Sequence, residues 1–199
     1  MYKKIILIRH GKASMAGTDS QRELDQDGII QADSLNKKLV RWGFANTVIY
    51  SSPFKRALQT IEPFISQNKG LEIDIRNELE EIHIPKDSKL SKHEIIEKMW
   101  SDQNFKIGEG ISQKNHFNMI ENFLNEIFDK FKNENKDIII ITHGNLIGIL
   151  LKFFFKINFG FIEWKKMTMP DIYLLKFDKN NSFIAMDRDN SDIERIFSI

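Results

Sequence analysis

Ile5-Ile6-Leu7-Ile8-Arg9-His10-Gly11 and, far downstream, Ile138-Ile139-Ile140-Ile141-Thr142-His143-Gly144 share one plan: an apolar, mostly β-branched run that ends in His-Gly. A short continuous apolar run of this kind reads as a strand buried on both faces. In an open α/β sheet, ligands sit outside the carboxyl ends of parallel strands. Two such strands therefore deliver His10 and His143 to one crevice, although they are distant in sequence. Between them, Ser51-Ser52-Pro53-Phe54-Lys55-Arg56-Ala57 is another strand-to-helix junction, and it carries a cation. Two histidines and two arginines, Arg9 and Arg56, converging at strand ends suit phosphoryl transfer that needs no metal. For that assembly to exist, the His10 and His143 rings must lie within about two hydrogen-bond lengths.

Working outward, Ile5–Ile8 and Val48–Tyr50 read as strands, and Leu71–Ile75 alternates as a third. Asp25 is an N-cap for a helix whose inner face is Gly28, Ala32, Leu35, Leu39 and Trp42. Ser52-Pro53 opens a second helix with inner residues Phe54, Ala57, Ile61 and Phe64, and Pro63 should kink it. Phe117, Ile120, Leu124, Ile127 and Phe131 mark a long amphipathic helix, and Asn145–Lys156 a nearly all-apolar one. Tyr173–Phe177 and Phe183–Met186 look like a closing hairpin. Between Glu78 and Gly110 the pattern loosens around Pro85 and Gly108-Glu109-Gly110. No second core follows, so this stretch reads as an insertion over the site, at about 82–110, within one domain spanning 1–199. Alternating strands and helices predict a three-layer α/β/α sandwich with a mostly parallel central sheet.

The bulk properties narrow the function. A chain of 199 residues with 16 Phe can bury a substantial core. A formal net charge of +1 gives no field that would draw nucleic acid or an acidic membrane, so an electropositive site must be local. Without cysteine there is no disulfide framework, thiolate chemistry or Cys-ligated zinc site. The apolar stretch Ile5–Ile8 is too short for a signal peptide or a membrane span. A cytoplasmic protein, as monomer or homodimer, is the expectation.

The residue types match what phosphoryl transfer requires. Charge spreads over the equatorial oxygens of the transferred group, so positioning and electrostatic stabilisation dominate catalysis. Arginine binds phosphate oxygens with a planar fork and keeps its charge. A neutral imidazole can attack phosphorus, dividing one hard step into two easier ones. A carboxylic acid with a raised pKa must then protonate the leaving oxygen.

An ordered set of motifs carries a resemblance. Leu7-Ile8-Arg9-His10-Gly11, Leu24-Asp25-Gln26-Asp27-Gly28-Ile29-Ile30-Gln31-Ala32, Ser51-Ser52-Pro53-Phe54-Lys55-Arg56-Ala57-Leu58-Gln59-Thr60, Leu79-Glu80-Glu81, Gly108-Glu109 and Thr142-His143-Gly144 follow one another as in the histidine phosphatase superfamily, also called phosphoglycerate mutase-like. Arg-His-Gly alone is weak. The ordered set, reaching from the first strand to about Leu151, is specific. The resemblance implies His10 as the phosphorylated nucleophile, Arg9 and Arg56 on the phosphoryl oxygens, and His143 as transition-state stabiliser. Gly144 and Asn145, opening the next helix, would add backbone N–H groups that favour an anion. Glu81 fits the family's Leu-x-Glu pattern as proton donor, with Glu78 and Glu80 one alignment slip away.

Further residues separate the possible readings. Lys12 either raises the local potential for multiply charged substrates or points to solvent. His83, His93 and His116 lack ligand-like spacing and read as surface residues, so no metal or other cofactor is expected. Met99 and Trp100 should fasten the insertion to the body, with a lid contact to substrate as the alternative, and Phe153-Phe154-Phe155 reads as core, where an exposed Phe would instead suggest a subunit contact. Mutases in the family follow Arg-His-Gly with a polar tail ending in Asn, whereas Ala13 and Ala16 occupy two of those positions here. With the short chain, this favours a hydrolase of phosphomonoesters, acting on a small phosphorylated metabolite or a phosphoprotein, over a phosphoglycerate mutase. A protein phosphohistidine phosphatase is a further enzymatic possibility. A catalytically silent phosphate-binding regulatory module is the non-enzymatic one.

Overall fold

The two apolar runs are neighbouring strands. In the computed structural model, which describes residues 3–44, 46–84, 88–108, 110–131, 136–178, 180 and 182–189, β1 (Lys3–Arg9) and β4 (Asp137–Thr142) pair in parallel. Ile5 stands opposite Ile138 and Arg9 opposite Thr142. β2 (Thr47–Ser51) lies parallel to β4 on its other side, and β3 (Ile73–Ile75) lies parallel to β2. β5 (Asp171–Phe177) runs antiparallel to β1, and β6 (Phe183–Asp189) antiparallel to β5, as the expected hairpin. The six-stranded order is β3-β2-β4-β1-β5-β6, so β3, β2, β4 and β1 form a parallel block, and His10 and His143 follow β1 and β4, the two central strands.

Side-chain alternation along β1 and β4 builds two cores. Ile6, Ile8, Ile139 and Ile141 face α1 (Gln26–Arg41) and α2 (Lys55–Gln67), which contribute Leu35, Leu39, Ala57, Ile61 and Phe64. Ile5, Leu7, Ile138 and Ile140 face the other way, onto α3 (Lys92–Ser101), α4 (Gln113–Phe131) and α5 (Gly144–Ile149). Helices on both faces of one sheet make the predicted three-layer sandwich.

Local signals explain most boundaries. Asp25 caps α1, its side chain accepting the Gly28 N–H at 2.8 Å. A Cβ on Gly28 would stand 2.0 Å from the Lys12 carbonyl, so only glycine lets the first turn of α1 lean on the loop after His10. α2 begins at Lys55, later than Ser52-Pro53 suggests, and runs through Pro63 to Gln67. The apolar helix after His143 is α only to Ile149. It continues as a π turn over Leu150–Phe154, and Lys156 then takes a left-handed φ of 56°. That turn sends Phe153 to Phe117 and Phe154 to Phe128, while Phe155 meets Phe177. A short helix, α6 (Phe161–Lys165), is not evident from the sequence pattern.

Within 82–110, α3 starts at a Ser91–Glu94 capping box and buries Ile95, Ile96, Met99 and Trp100 in the same core as the sheet. Met99 and Trp100 thus fasten this segment to the body. Pro85 and Glu109, both parts of the expected insertion, lie outside the described residues, as does the side chain of Phe131. Among the described residues no helix is long and apolar enough to cross a membrane.

Candidate active site

Parallel pairing continues one residue past β1. The His10 N–H donates to the Thr142 carbonyl at 3.1 Å, which sets His10 beside His143 with ring centroids 5.1 Å apart. His10 Nδ1 lies 2.7 Å from the Gly11 carbonyl, a group that can only accept. The ring proton therefore sits on Nδ1, and the Nε2 lone pair faces Arg56, whose Nε donates to it at 3.0 Å. Burial first, then the Arg56 charge, push the His10 pKa down to about 3, so the imidazole is neutral near pH 7.

The loop that carries His10 is held by side chains of the flanking motifs. Gly11 N–H donates to Thr60 Oγ1 at 2.9 Å, Lys12 N–H to Gln31 Oε1 at 2.9 Å, and Leu24 N–H to Gln59 Oε1 at 2.8 Å. The uncharged residues of the Arg56 motif are thus its fasteners.

Arg56 leaves the first turn of α2 almost fully buried. Its Nη2 lies 3.3 Å from His143 Nδ1 and 3.4 Å from an Asp19 carboxylate oxygen, and its Nη1 donates to the Asp19 carbonyl. Arg9 Nη1 donates to the Met167 and Thr168 carbonyls at 3.2 Å each, while its buried Nε has no partner among the described residues. A Cβ on Gly144 would stand 3.2 Å from that Nε, so the glycine allows Arg9 its close approach. Asp171 is fully buried beneath, held by Arg188 at 2.6 and 3.0 Å and by the Tyr173 hydroxyl at 3.1 Å. Glu81 and Asp171 offset electrostatically the burial of the Arg9 guanidinium.

His143 is fully buried, and burial holds its pKa well below the ordinary value, helped by His10 and Arg56. Its Nε2 lies 2.8 Å from Ser52 Oγ. A hydroxyl donates or accepts, so Ser52 supports either tautomer. With the proton on Nδ1, His143 and Arg56 both donate to one acceptor placed between them.

Glu81 follows a 3-10 turn (Asn77–Leu79) after β3. With Arg22, Ile82, Lys92 and Ile95 it lines a cavity of about 620 Å³, and it alone of Glu78, Glu80 and Glu81 does so. Oε1 accepts the Ile82 N–H at 3.0 Å, and Oε2 lies 3.5 Å from the Asn145 nitrogen. Burial raises the Glu81 pKa, opposed by Lys92, Arg9 and Arg56. The Asn145 backbone thus points at the carboxyl, and its side-chain Oδ1 is buried without a partner among the described residues.

Sequence reasoning missed Asp19, Arg22 and the bond from Ser52 to His143. Arg22 pairs with Asp19 at 3.2 Å, and its charge acts on His10 and Arg56. Asp19 opens a 3-10 turn (Asp19–Gln21) and Arg22 follows it, in a connection where the sole available signal was that the chain must return from His10 to Asp25 past the strand ends. One expectation is corrected. His83 and His93 are exposed, but His116 is buried at 6% exposure, because the first turn of α4 packs on the Asn77–Leu79 turn together with buried Ser112 and Gln113. Burial lowers its pKa to about 4. Lys12 faces Asp25, at 3.3 Å, and Asp27, not the arginines and histidines of the site.

Comparison with known proteins gives the same answer from another direction. Residues 5–189 match the family described as the histidine phosphatase superfamily (branch 1). A 5''-phosphoribostamycin phosphatase of Niallia circulans is 25% identical, over 94% of this chain and 96% of that protein. A mycobacterial glucosyl-3-phosphoglycerate phosphatase superposes with a TM-score of 0.70 at 17% identity, covering 95% of this chain and 98% of that one. A phosphoserine phosphatase mutant from Entamoeba histolytica, in complex with phosphoserine, gives 0.68 at 23% identity, covering 92% and 96%. A family match running from β1 to the end of β6 takes in every element that supplies a residue to the site, and the chain belongs to the histidine phosphatase superfamily, branch 1.

Proposed function

We propose that this protein hydrolyses phosphomonoesters of small metabolites, without a metal, through a phosphohistidine formed on His10. The observation that carries the reading is the neutral His10, its proton on Nδ1 and its Nε2 lone pair turned to Arg56, with the His143 ring beside it. In the first step Nε2 attacks phosphorus, the bond to the ester oxygen breaks, and that oxygen takes the Glu81 proton. In the second step water attacks the phosphorus, Glu81 takes a water proton, and the N–P bond breaks to release inorganic phosphate. Arg9 and Arg56 hold the phosphoryl oxygens, with the Gly144 and Asn145 backbone alongside, and His143 donates to the oxygen on which charge builds.

The cavity beside Glu81 supports a small alcohol portion, walled by Ile82, Ile84, Leu90 and Ile95 of the 82–110 insertion in a single-domain chain. Relatives named for phosphoribostamycin, glucosyl-3-phosphoglycerate and phosphoserine agree with that size of substrate. The test is hydrolysis of p-nitrophenyl phosphate in excess chelator, with acid-quenched single turnovers to trap the phosphoenzyme. Turnover that chelator abolishes, or turnover without an acid-labile phosphoenzyme, would overturn this mechanism.

A further inference from the structure

Thr142 ends β4, is fully buried and precedes His143. Its carbonyl accepts the His10 N–H at 3.1 Å. Its Oγ1 donates to the Leu79 carbonyl at 2.7 Å, a buried bond between residues far apart in sequence. One residue therefore grips the nucleophile by its backbone and the turn before Glu81 by its side chain. His116 braces the same turn from α4, with the Glu78 carbonyl in hydrogen-bonding reach of its ring.

The carboxyl of Glu81 needs such anchors. Its contact with the Ile82 N–H is to its own neighbour and moves with the segment, and its contact with Asn145 is long at 3.5 Å. Where the carboxyl stands relative to His10 is thus set by the backbone on either side of it, the Asn77–Leu79 turn before and buried Ile82 after. Replacing the hydroxyl by a methyl would leave the Leu79 carbonyl buried without this donor, and an unpaired buried acceptor is unfavourable enough to drive a local shift. A general acid displaced from its proton-transfer distance loses most of its effect.

We propose that Thr142 is a positioning residue for the proton donor, its hydroxyl tying the Leu79 carbonyl, and with it the Glu81 carboxyl, to the strand end that holds His10 and His143. This rests on Glu81 being the acid, and the test separates the two ideas. The Thr142→Val variant keeps the shape and the backbone bond to His10. It should slow an alkyl phosphate about ten- to a hundredfold in kcat/KM, while p-nitrophenyl phosphate, whose leaving group needs no proton, changes by no more than about threefold. Thr142→Ser should restore the alkyl rate. The Glu81→Gln, Thr142→Val double variant should be no slower on the alkyl ester than Glu81→Gln alone. Equilibrium binding of inorganic phosphate reports whether the site is folded, and Thr142→Cys, with its weaker donor, serves if the Val variant does not fold. Equal losses on both esters, an unchanged alkyl rate, or additive losses in the double variant would each overturn the proposal while leaving Glu81 as the acid. If Glu81→Gln itself lowers kcat/KM equally for both esters, the acid assignment falls and Thr142's role falls with it.

Discussion

The two sides of the proposed site, phosphate and leaving group, are built differently. On the phosphate side, Arg56 donates to His10 and lies 3.3 Å from His143, and all three bond to groups from the motifs that surround them: Gly11, Asp19 and Ser52. On the leaving-group side, Glu81 has only its own neighbour's N–H and a long 3.5 Å contact to the Asn145 nitrogen, and is held mainly through the backbone that carries it. The first side is a fixed electrostatic frame, which is what stabilising a transferred phosphoryl group demands. The second is looser and walled by an insertion, which suits a region that must accept one alcohol among many. Mutations should therefore act on all substrates when made in the frame and selectively when made opposite it.

The sharpest way to break that division is His10→Ala. It should abolish turnover of aryl and alkyl esters together and remove the acid-labile phosphoenzyme seen by acid quench. Substantial residual activity would mean that the frame is not organised around His10. Next in size is Arg56→Ala, which should lower kcat about 10²- to 10³-fold on every ester, the loss found when one preorganised donor is removed. A loss confined to one substrate class would move Arg56 to the selective side. Glu81→Gln should lower kcat/KM about a hundredfold for alkyl phosphates and far less for p-nitrophenyl phosphate, because the second step, which Glu81 also serves, lies outside kcat/KM. Because burial raises the Glu81 pKa and the acid must be protonated, alkyl ester hydrolysis should also fall as pH rises through that pKa, a limb absent from the Gln variant. An unchanged alkaline limb in Glu81→Gln would assign it to another group.

Legibility in the sequence followed the same division. Strands buried on both faces announce themselves as isoleucine runs, so β1 and β4 and the meeting of His10 with His143 could be read directly. Arg9, Arg56 and the Asp25 cap sit at element junctions that short motifs mark. The job of Gln59 and Thr60, holding the loop after His10, could not be read, because their partners are backbone groups distant in sequence. Ser52 reads as a helix cap, yet its hydroxyl turns to His143 and α2 starts later. His116 shows the limit most clearly. Its polarity suggests a surface, and only the packing of α4 on the Asn77–Leu79 turn buries it.

That buried histidine has a measurable consequence. Its folded-state pKa of about 4 lies below the ordinary 6.5, so below pH 6.5 the unfolded chain takes up a proton that folded His116 does not. Its contribution to stability is present above pH 6.5 and is lost as pH falls toward about 4. The loss is on the order of 3 kcal/mol. His10 and His143 act with the same sign. Urea unfolding at pH 7 and pH 4.5 should show the protein losing more stability on acidification than its His116→Gln variant. Equal losses in the two proteins would mean that His116 is protonated in the folded state.

Lys12 gives the smallest effect and tests where the frame ends. It follows Gly11 directly, so proximity in sequence invites a role in phosphate binding. Its ammonium nevertheless reaches the carboxylates of Asp25 and Asp27 at the start of α1, and its backbone N–H is taken by Gln31. An exposed cation already paired with two carboxylates adds little field to a site a few residues away, and salt screens what remains. Lys12→Gln should therefore leave kcat and KM for mono- and multiply charged phosphate esters within about twofold at physiological ionic strength. A KM that rises selectively for multiply charged esters, and does so more steeply at low salt, would extend the phosphate side of the site to Lys12.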